Sequence, residues 1–253
     1  MSLASCYDGI ARMHHQLDSY RVVEEVERYR RSWMPDEVRV VLLAESHVRT
    51  SEKDFNHHWS YGTGPVHHGN FVRFVYCLAN GERDLVSVAS NKGTWQFWLL
   101  LSSCLNNPSD TVNFSAILRR TTPDFDDRIR KKIHLLEELK RHGIWLLDAS
   151  IVGVNEEKGP IRKRIVTYSW RNHTRPILEE LDPTPKHVII VGEGVKKMIE
   201  GELHELGMEP SDVPQPQAHL RGGYSRYHNQ IFETCSRFRN YDPRGFQHLR
   251  NHT

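Results

Sequence analysis

Glu45, Ser46 and His47 place a carboxylate, a hydroxyl and an imidazole at the end of the apolar run Val38–Ala44. Two further apolar runs also end in small or polar residues, Asp148-Ala149-Ser150 and Gly192-Glu193-Gly194. A carboxylate or imidazole in such a position can act as a general base or orient a water. The plainer alternative is an Asx-type turn that caps a following helix. A Ser-His-Asp triad from Ser46, His47 and Asp148 has the right residue types. It lacks a G-x-S-x-G elbow, however, and adjacent residues of a strand point to opposite faces. His14-His15, His57-His58 and His67-His68 are adjacent pairs whose side chains diverge, without an H-E-x-x-H or H-x-H pattern, so no metal site is expected. Gly192-Glu193-Gly194 lacks the third glycine of a dinucleotide turn and the Lys-Ser/Thr of a P-loop, which argues against a dinucleotide cofactor.

The elements that must position these groups are legible in outline. Val38–Ala44, Gly143–Asp148 and His187–Gly192 are short and almost continuously apolar, as expected of strands covered on both faces. Apolar residues at helical spacing predict one or two helices over 7–33, and further helices near Asp126–His142, Tyr168–Leu181 and Val195–Leu206. Strands alternating with helices predict an α/β fold, three-layer α/β/α with a central, mostly parallel sheet. Ligands of such sheets bind at the carboxyl ends of the strands, so the three polar ends are expected to line one cleft. Arg49–Asn70, rich in His, Gly and aromatics, is expected to be a long functional loop, and Pro210–Gly223 a second loop.

Composition narrows the class. In 253 residues, 38% are hydrophobic and 26% charged, which is globular composition, and no linker or internal repeat divides the chain, so one domain over 1–253 is expected, with its core at about 38–235. No stretch approaches the roughly 20 apolar residues of a membrane span. Met1–Tyr20 does not resemble a signal peptide, so a cytoplasmic location is expected. Cys6, Cys77, Cys104 and Cys235 lie far apart and are expected to be free thiols without a cluster. A net charge of +2 does not announce a polyanion partner. The C-terminal part nevertheless carries Arg221, Arg226, Arg237, Arg239, Arg244 and Arg250 among Tyr224, Tyr227, Phe238 and Tyr241. This basic tail suits phosphate contacts with base stacking, and equally a solvated surface helix.

The three strand ends, in this order, followed by a Pro-containing loop and Arg221-Gly222-Gly223-Tyr224, resemble the uracil-DNA glycosylase superfamily over about Val38–Phe232. That family's first motif is a hydrophobic strand ending in G-Q-D-P-Y-H or G-E-x-P-G. Glu45 matches the Glu of the second form, Ser46 stands where the water-handling Asp falls, and His47 replaces the Pro. Gly143-Ile144-Trp145-Leu146-Leu147-Asp148 resembles the family's middle strand, with Lys158-Gly159 and Trp170 after it. Asp148 stands where the family's Asn reads the amide edge of uracil. An Asp accepts from N–H groups but donates only when protonated, which moves the implied preference away from uracil. At the family's H-P-S-P loop this chain has Gln215-Pro216-Gln217-Ala218, so Gln215 occupies the place of the catalytic His, and His219 substitutes only if the loop is re-registered.

The resemblance implies hydrolysis of an N-glycosidic bond without metal or organic cofactor. A flipped base would stack on Trp59, Tyr61 or His67 and be read by Asp148 and Gln217. Glu45, Ser46 or His47 would handle the water, with Gln215 or His219 near the base oxygen, and Arg221, Gly222, Gly223 and Arg226 would contact nucleic acid, DNA in preference to RNA. The alternative is a catalytically inactive module that binds a nucleic acid or nucleoside on the same fold.

Overall fold

Uninterrupted β-branched and aliphatic runs satisfy their backbone and side chains together only when a parallel sheet is covered on both faces. The computed structural model describes residues 1–62, 67–88, 94–181, 187–216 and 224–239. The described elements run in the order α1 (Leu3–Ala11), α2 (Tyr20–Ser32), β1 (Val40–Ala44), α3 (Glu52–Phe55), β2 (His58–Ser60), β3 (His68–Asn70), α4 (Thr94–Ser103), α5 (Thr111–Phe114) and α6 (Phe125–Arg141). They continue with β4 (Ile144–Asp148), α7 (Gly159–Ser169), a π-helical segment (Trp170–Thr174), α8 (Arg175–Glu180), β5 (His187–Val191), α9 (Glu193–Glu205), β6 (Ser211–Val213) and α10 (Tyr224–Arg239).

Four parallel strands in the order β4-β1-β5-β6 form the main sheet. Val40 pairs with Ile144 on one side and His187 on the other, so the three apolar runs share one register. Every residue of β1 and β4 is buried. Around the sheet, α7 packs against α1 and α9, while α4 packs against α5, α6 and α10. The edge strand β4 is closed off by Tyr76, whose hydroxyl accepts the N–H of Leu146 at 2.9 Å.

Two expectations are corrected and a third is narrowed. Arg49–Asn70 is not an open loop: its described part contains α3 and the antiparallel β2–β3 ribbon, which is tied to α2 through Asn70 N–H to Glu25, Arg28 to the His68 carbonyl and Tyr29 to the Asn70 carbonyl. The described part of Pro210–Gly223 supplies the edge strand β6, whose Ser-Asp-Val has too little apolar character to announce itself. The start of the C-terminal segment is a helix solvated on one side only: α10 exposes Arg226 and Arg237 and buries Tyr227, His228, Ile231 and Cys235 against the core. All four cysteines are buried free thiols, and among the described residues no helix is long and apolar enough to cross a membrane.

Buried charges are grouped. Glu82 accepts from Arg128 at 2.7 Å and from Lys132, all three inside the protein. Arg30 of α2 donates to Glu27 at 2.5 Å and to Asp148 of β4 at 2.8 Å, and its carbonyl accepts from the Trp145 indole at 3.0 Å. Burial alone would push the Glu27 carboxyl up, but the Arg30 charge and His173 hold it at about 2, below its ordinary 4.5. The unfolded chain therefore takes up this proton at a higher pH than the folded one. The stabilisation is complete above about 4.5 and is lost as pH falls toward about 2. Arg30→Met leaves the buried Asp148 carboxylate unpaired and Glu27 with only Arg31 at 2.7 Å and the more distant His173, and is expected to cost about 3–5 kcal/mol. Thermal melting should show a drop on the order of 10 °C at neutral pH, narrowing as acid removes the charges that Arg30 pairs.

Candidate functional site

From β1 the chain crosses to β4 on one side of the sheet and returns to β5 on the other. The crevice of such a sheet opens where the connections diverge, here between the carboxyl ends of β1 and β5. A cavity of about 280 Å³ lies there. Its wall comprises Ala44, Glu45, Ser46, His47 and Val48 after β1, Val191 of β5, Gln215 after β6, Phe97 of α4, and Asn155 and Arg162 from the segment after β4. A larger open groove of about 950 Å³ adjoins it through Val48 and Asn155, with the end of α1 as one wall.

Glu45 is 9% exposed, and its two carboxylate oxygens accept from Arg162 Nε at 2.7 Å and from Arg162 Nη2. The Arg162 guanidinium is raised in pKa by these hydrogen bonds to Glu45, against the opposing effect of its own burial. Ser46 Oγ accepts the Val154 N–H at 3.2 Å, which joins the loop after β1 to the loop after β4. Gly192, at φ 103°, permits the approach of Gln215: a Cβ at position 192 would lie 2.5 Å from Gln215 Cγ. The chain end of β5 is thus made of glycine so that the Gln215 side chain can pack across it into the cavity.

His47 contributes to the wall but is spent on structure. Its Nε2 faces the Asp18 carboxylate at 3.2 Å, with both side chains fully buried, and its ring lies edge-on to Phe74. Asp18 also accepts the Thr50 N–H at 2.7 Å and the Gly153 N–H at 2.6 Å. Burial pushes the Asp18 carboxyl up, and His47 with these two backbone donors more than reverses that, so it is held below its ordinary value. One side chain from the α1–α2 connection thereby fixes the loops that follow β1 and β4.

The structure brings Glu45, Ser46, His47 and Gln215 to one cavity and takes other sequence candidates elsewhere. Asp148 points into the Arg30 network and does not line the cavity, because an unpaired carboxylate at that depth would be untenable. Trp59 is buried with its indole N–H on Tyr29 Oη at 3.0 Å. Tyr61 packs edge-on against Phe125 at the start of α6, and His67 leads into β3, where its carbonyl accepts the Tyr61 N–H at 2.7 Å. These aromatics belong to the ribbon and do not form the cavity wall. Arg226 is exposed on α10. Gln217, His219, Arg221, Gly222 and Gly223 lie outside the described residues.

Phe97, Asn155 and Arg162 complete the wall without any motif that singles them out. Phe97 sits in the apolar run Trp95–Leu101, where nothing separates a wall residue from its core neighbours, and Asn155 follows a strand end by seven residues. The basic run from Lys158 to Arg164 was the one available signal for Arg162. Among the described residues, no three His, Cys, Asp or Glu side chains are placed to hold a metal ion.

Asp18→Asn keeps the shape but opposes an NH₂ group to an N–H donor, with an expected loss of about 2 kcal/mol. Hydrogen exchange should then speed up at Thr50 and Gly153 ahead of the sheet. Gly192→Ala should cost about 1–3 kcal/mol through its backbone conformation and displace Gln215, which melting curves and the variant's crystal structure would show. No family model, no curated protein and no solved structure matches the chain.

Proposed function

We propose that the cavity receives a nucleobase from single-stranded or flipped-out nucleic acid, DNA in preference to RNA, and that the protein is a distant uracil-DNA glycosylase-like hydrolase of N-glycosidic bonds. The observation that carries the reading is that Glu45 and Gln215, 170 residues apart in the chain, line one cavity. They stand at the positions that the family resemblance assigns to the water-handling turn and to the group beside the departing base.

Size and chemistry support it. A volume of about 280 Å³ falls just below the range of roughly 300–1,000 Å³ for small-molecule sites, enough for one heterocycle and too little for a dinucleotide. Phe97 offers a ring for stacking. The Gln215 amide carries a donor and an acceptor suited to the edge of a base, and Asn155, whose oxygen accepts the Arg49 N–H at 2.7 Å, offers its NH₂ group. These groups take over the recognition role that the sequence suggested for Asp148 and the ribbon aromatics. In the reaction Glu45 positions a water against the anomeric carbon. As the carbon–nitrogen bond breaks and the carbon–oxygen bond forms, Gln215 donates to the base that leaves with the electron pair, and the water's proton passes to Glu45. A neutral amide in place of an imidazole costs roughly 10²–10³ in rate, so slow turnover is expected.

One observation favours a second reading, binding without chemistry: Arg162 occupies both oxygens of Glu45. Release of free base from oligonucleotides containing uracil, hypoxanthine or xanthine decides between them. Glu45→Gln is expected to lower release about 100-fold or more without weakening association, because a water-positioning group acts in the transition state. Tight binding with no base released over long incubation leaves the binding module. Neither binding nor release removes the nucleic-acid reading altogether.

A further inference from the structure

The adjoining groove is a poor track for a polyanion, since its two arginines are already engaged, Arg49 with Glu156 at 2.8 Å and Arg73 with Asp54 at 2.9 Å, and it is lined by the carboxylates of Asp18, Glu52, Asp54 and Glu156. The first turns of α7 differ. Lys158 to Arg171 contains Lys158, Arg162, Lys163, Arg164 and Arg171 and no acidic residue. Lys158, Lys163 and Arg164 are exposed and form no ion pair among the described residues. Ile161 is 46% exposed in their midst, an apolar contact available between cations.

Arg162 lies one turn after Lys158 on the side of α7 turned to the cavity, while Ile161, Lys163 and Arg164 occupy the outer side of the same turns. The Arg162 side chain is 36% exposed and Glu45's is 10% exposed, so the pair sits at the mouth, wetted from one side. Guanidinium recognises a carboxylate and a phosphate with the same two-pronged geometry, so one can replace the other without leaving the arginine unsatisfied. Neighbouring unpaired cations attract the phosphate that would compete.

We propose that the first turns of α7 receive the phosphate backbone and that Arg162 then exchanges Glu45 for a phosphate oxygen, freeing the carboxylate to face the cavity only when nucleic acid is bound. This rests on the nucleic-acid reading above and adds to it the docking surface and the release of Glu45. In the free protein the carboxylate is silenced by its partner. The strand that delivers a base also delivers the phosphate that removes the block.

The test is a double-mutant cycle on binding of a single-stranded DNA of about 12 nucleotides, followed by fluorescence anisotropy across a salt series. Glu45 competes with phosphate for Arg162, so Glu45→Gln should tighten binding about three- to tenfold, and Arg162→Gln should weaken it. The two changes together should bind like Arg162→Gln alone, because Glu45 has then nothing left to compete for. Arg162→Lys should fall between, keeping the charge without the two-pronged geometry. Lys163→Gln with Arg164→Gln should flatten the slope of log affinity against log salt by about 0.7 for each phosphate that is no longer neutralised. Circular dichroism of each variant checks that it is folded. Glu45→Gln tightening equally in the presence and absence of Arg162 would reduce the effect to general charge removal and overturn the exchange. An unchanged salt slope in the lysine-arginine variant would overturn the docking face. A wild-type protein that binds no oligonucleotide removes the nucleic-acid reading itself, whereas binding with an additive cycle removes only the exchange.

Discussion

Asp18 is the side chain on which the rim of this protein depends. Parallel strands end at one edge of a sheet, and the loops that leave them carry backbone N–H groups with no ladder partner. Asp18 accepts two such groups, from Thr50 after β1 and Gly153 after β4, and faces His47 from the first of these loops. A carboxylate surrounded by donors stays ionised in a buried place because each donor compensates part of its lost hydration. The same contacts hold the wall of the cavity, since His47, Val48 and Asn155 lie within a few residues of the points that Asp18 fixes.

Several residues that look functional in the sequence are consumed by this kind of structural work. Asp148 ends a strand at the rim, as a catalytic group would, yet its side chain turns inward to Arg30, 118 residues away. Trp59 is an apt base platform by type, but Tyr29 accepts its indole N–H inside the protein. In each case the deciding partner lies on α2, and no local pattern around Asp148 or Trp59 discloses it. A buried ionisable or indole group must find a partner at whatever sequence distance the fold provides.

What was legible follows the same line. Val40–Ala44, Ile144–Asp148 and His187–Val191 were readable because burial on both faces demands a run of apolar residues, and that demand is written locally. The helix periodicity at Phe125–Arg141 and Glu193–Glu205 was readable for the corresponding reason on one face. Ser211–Val213 was not, since a three-residue edge strand imposes almost no pattern. Glu45 was found by its place after a strand, and Gln215 through the family resemblance. Phe97, Asn155 and Arg162 come from elements whose approach to the rim is set by tertiary packing alone.

The ion pairs of the molecule also sort by water access, and this gives the site its particular character. Arg30 with Asp148 is 4% and 2% exposed, so separating the two would strand charges in a medium that solvates neither. Arg175 with Glu179 lies on the surface, where such a pair contributes little and constrains little. Glu45 with Arg162 falls between them: the carboxylate is enclosed by the cavity wall while the guanidinium remains reachable from outside. Burial makes the carboxylate dependent on a partner, and exposure makes that partner replaceable. A charge held in this way is stable in the folded protein and still available to an anionic ligand that satisfies the arginine, a combination that neither the buried networks nor the surface pairs provide.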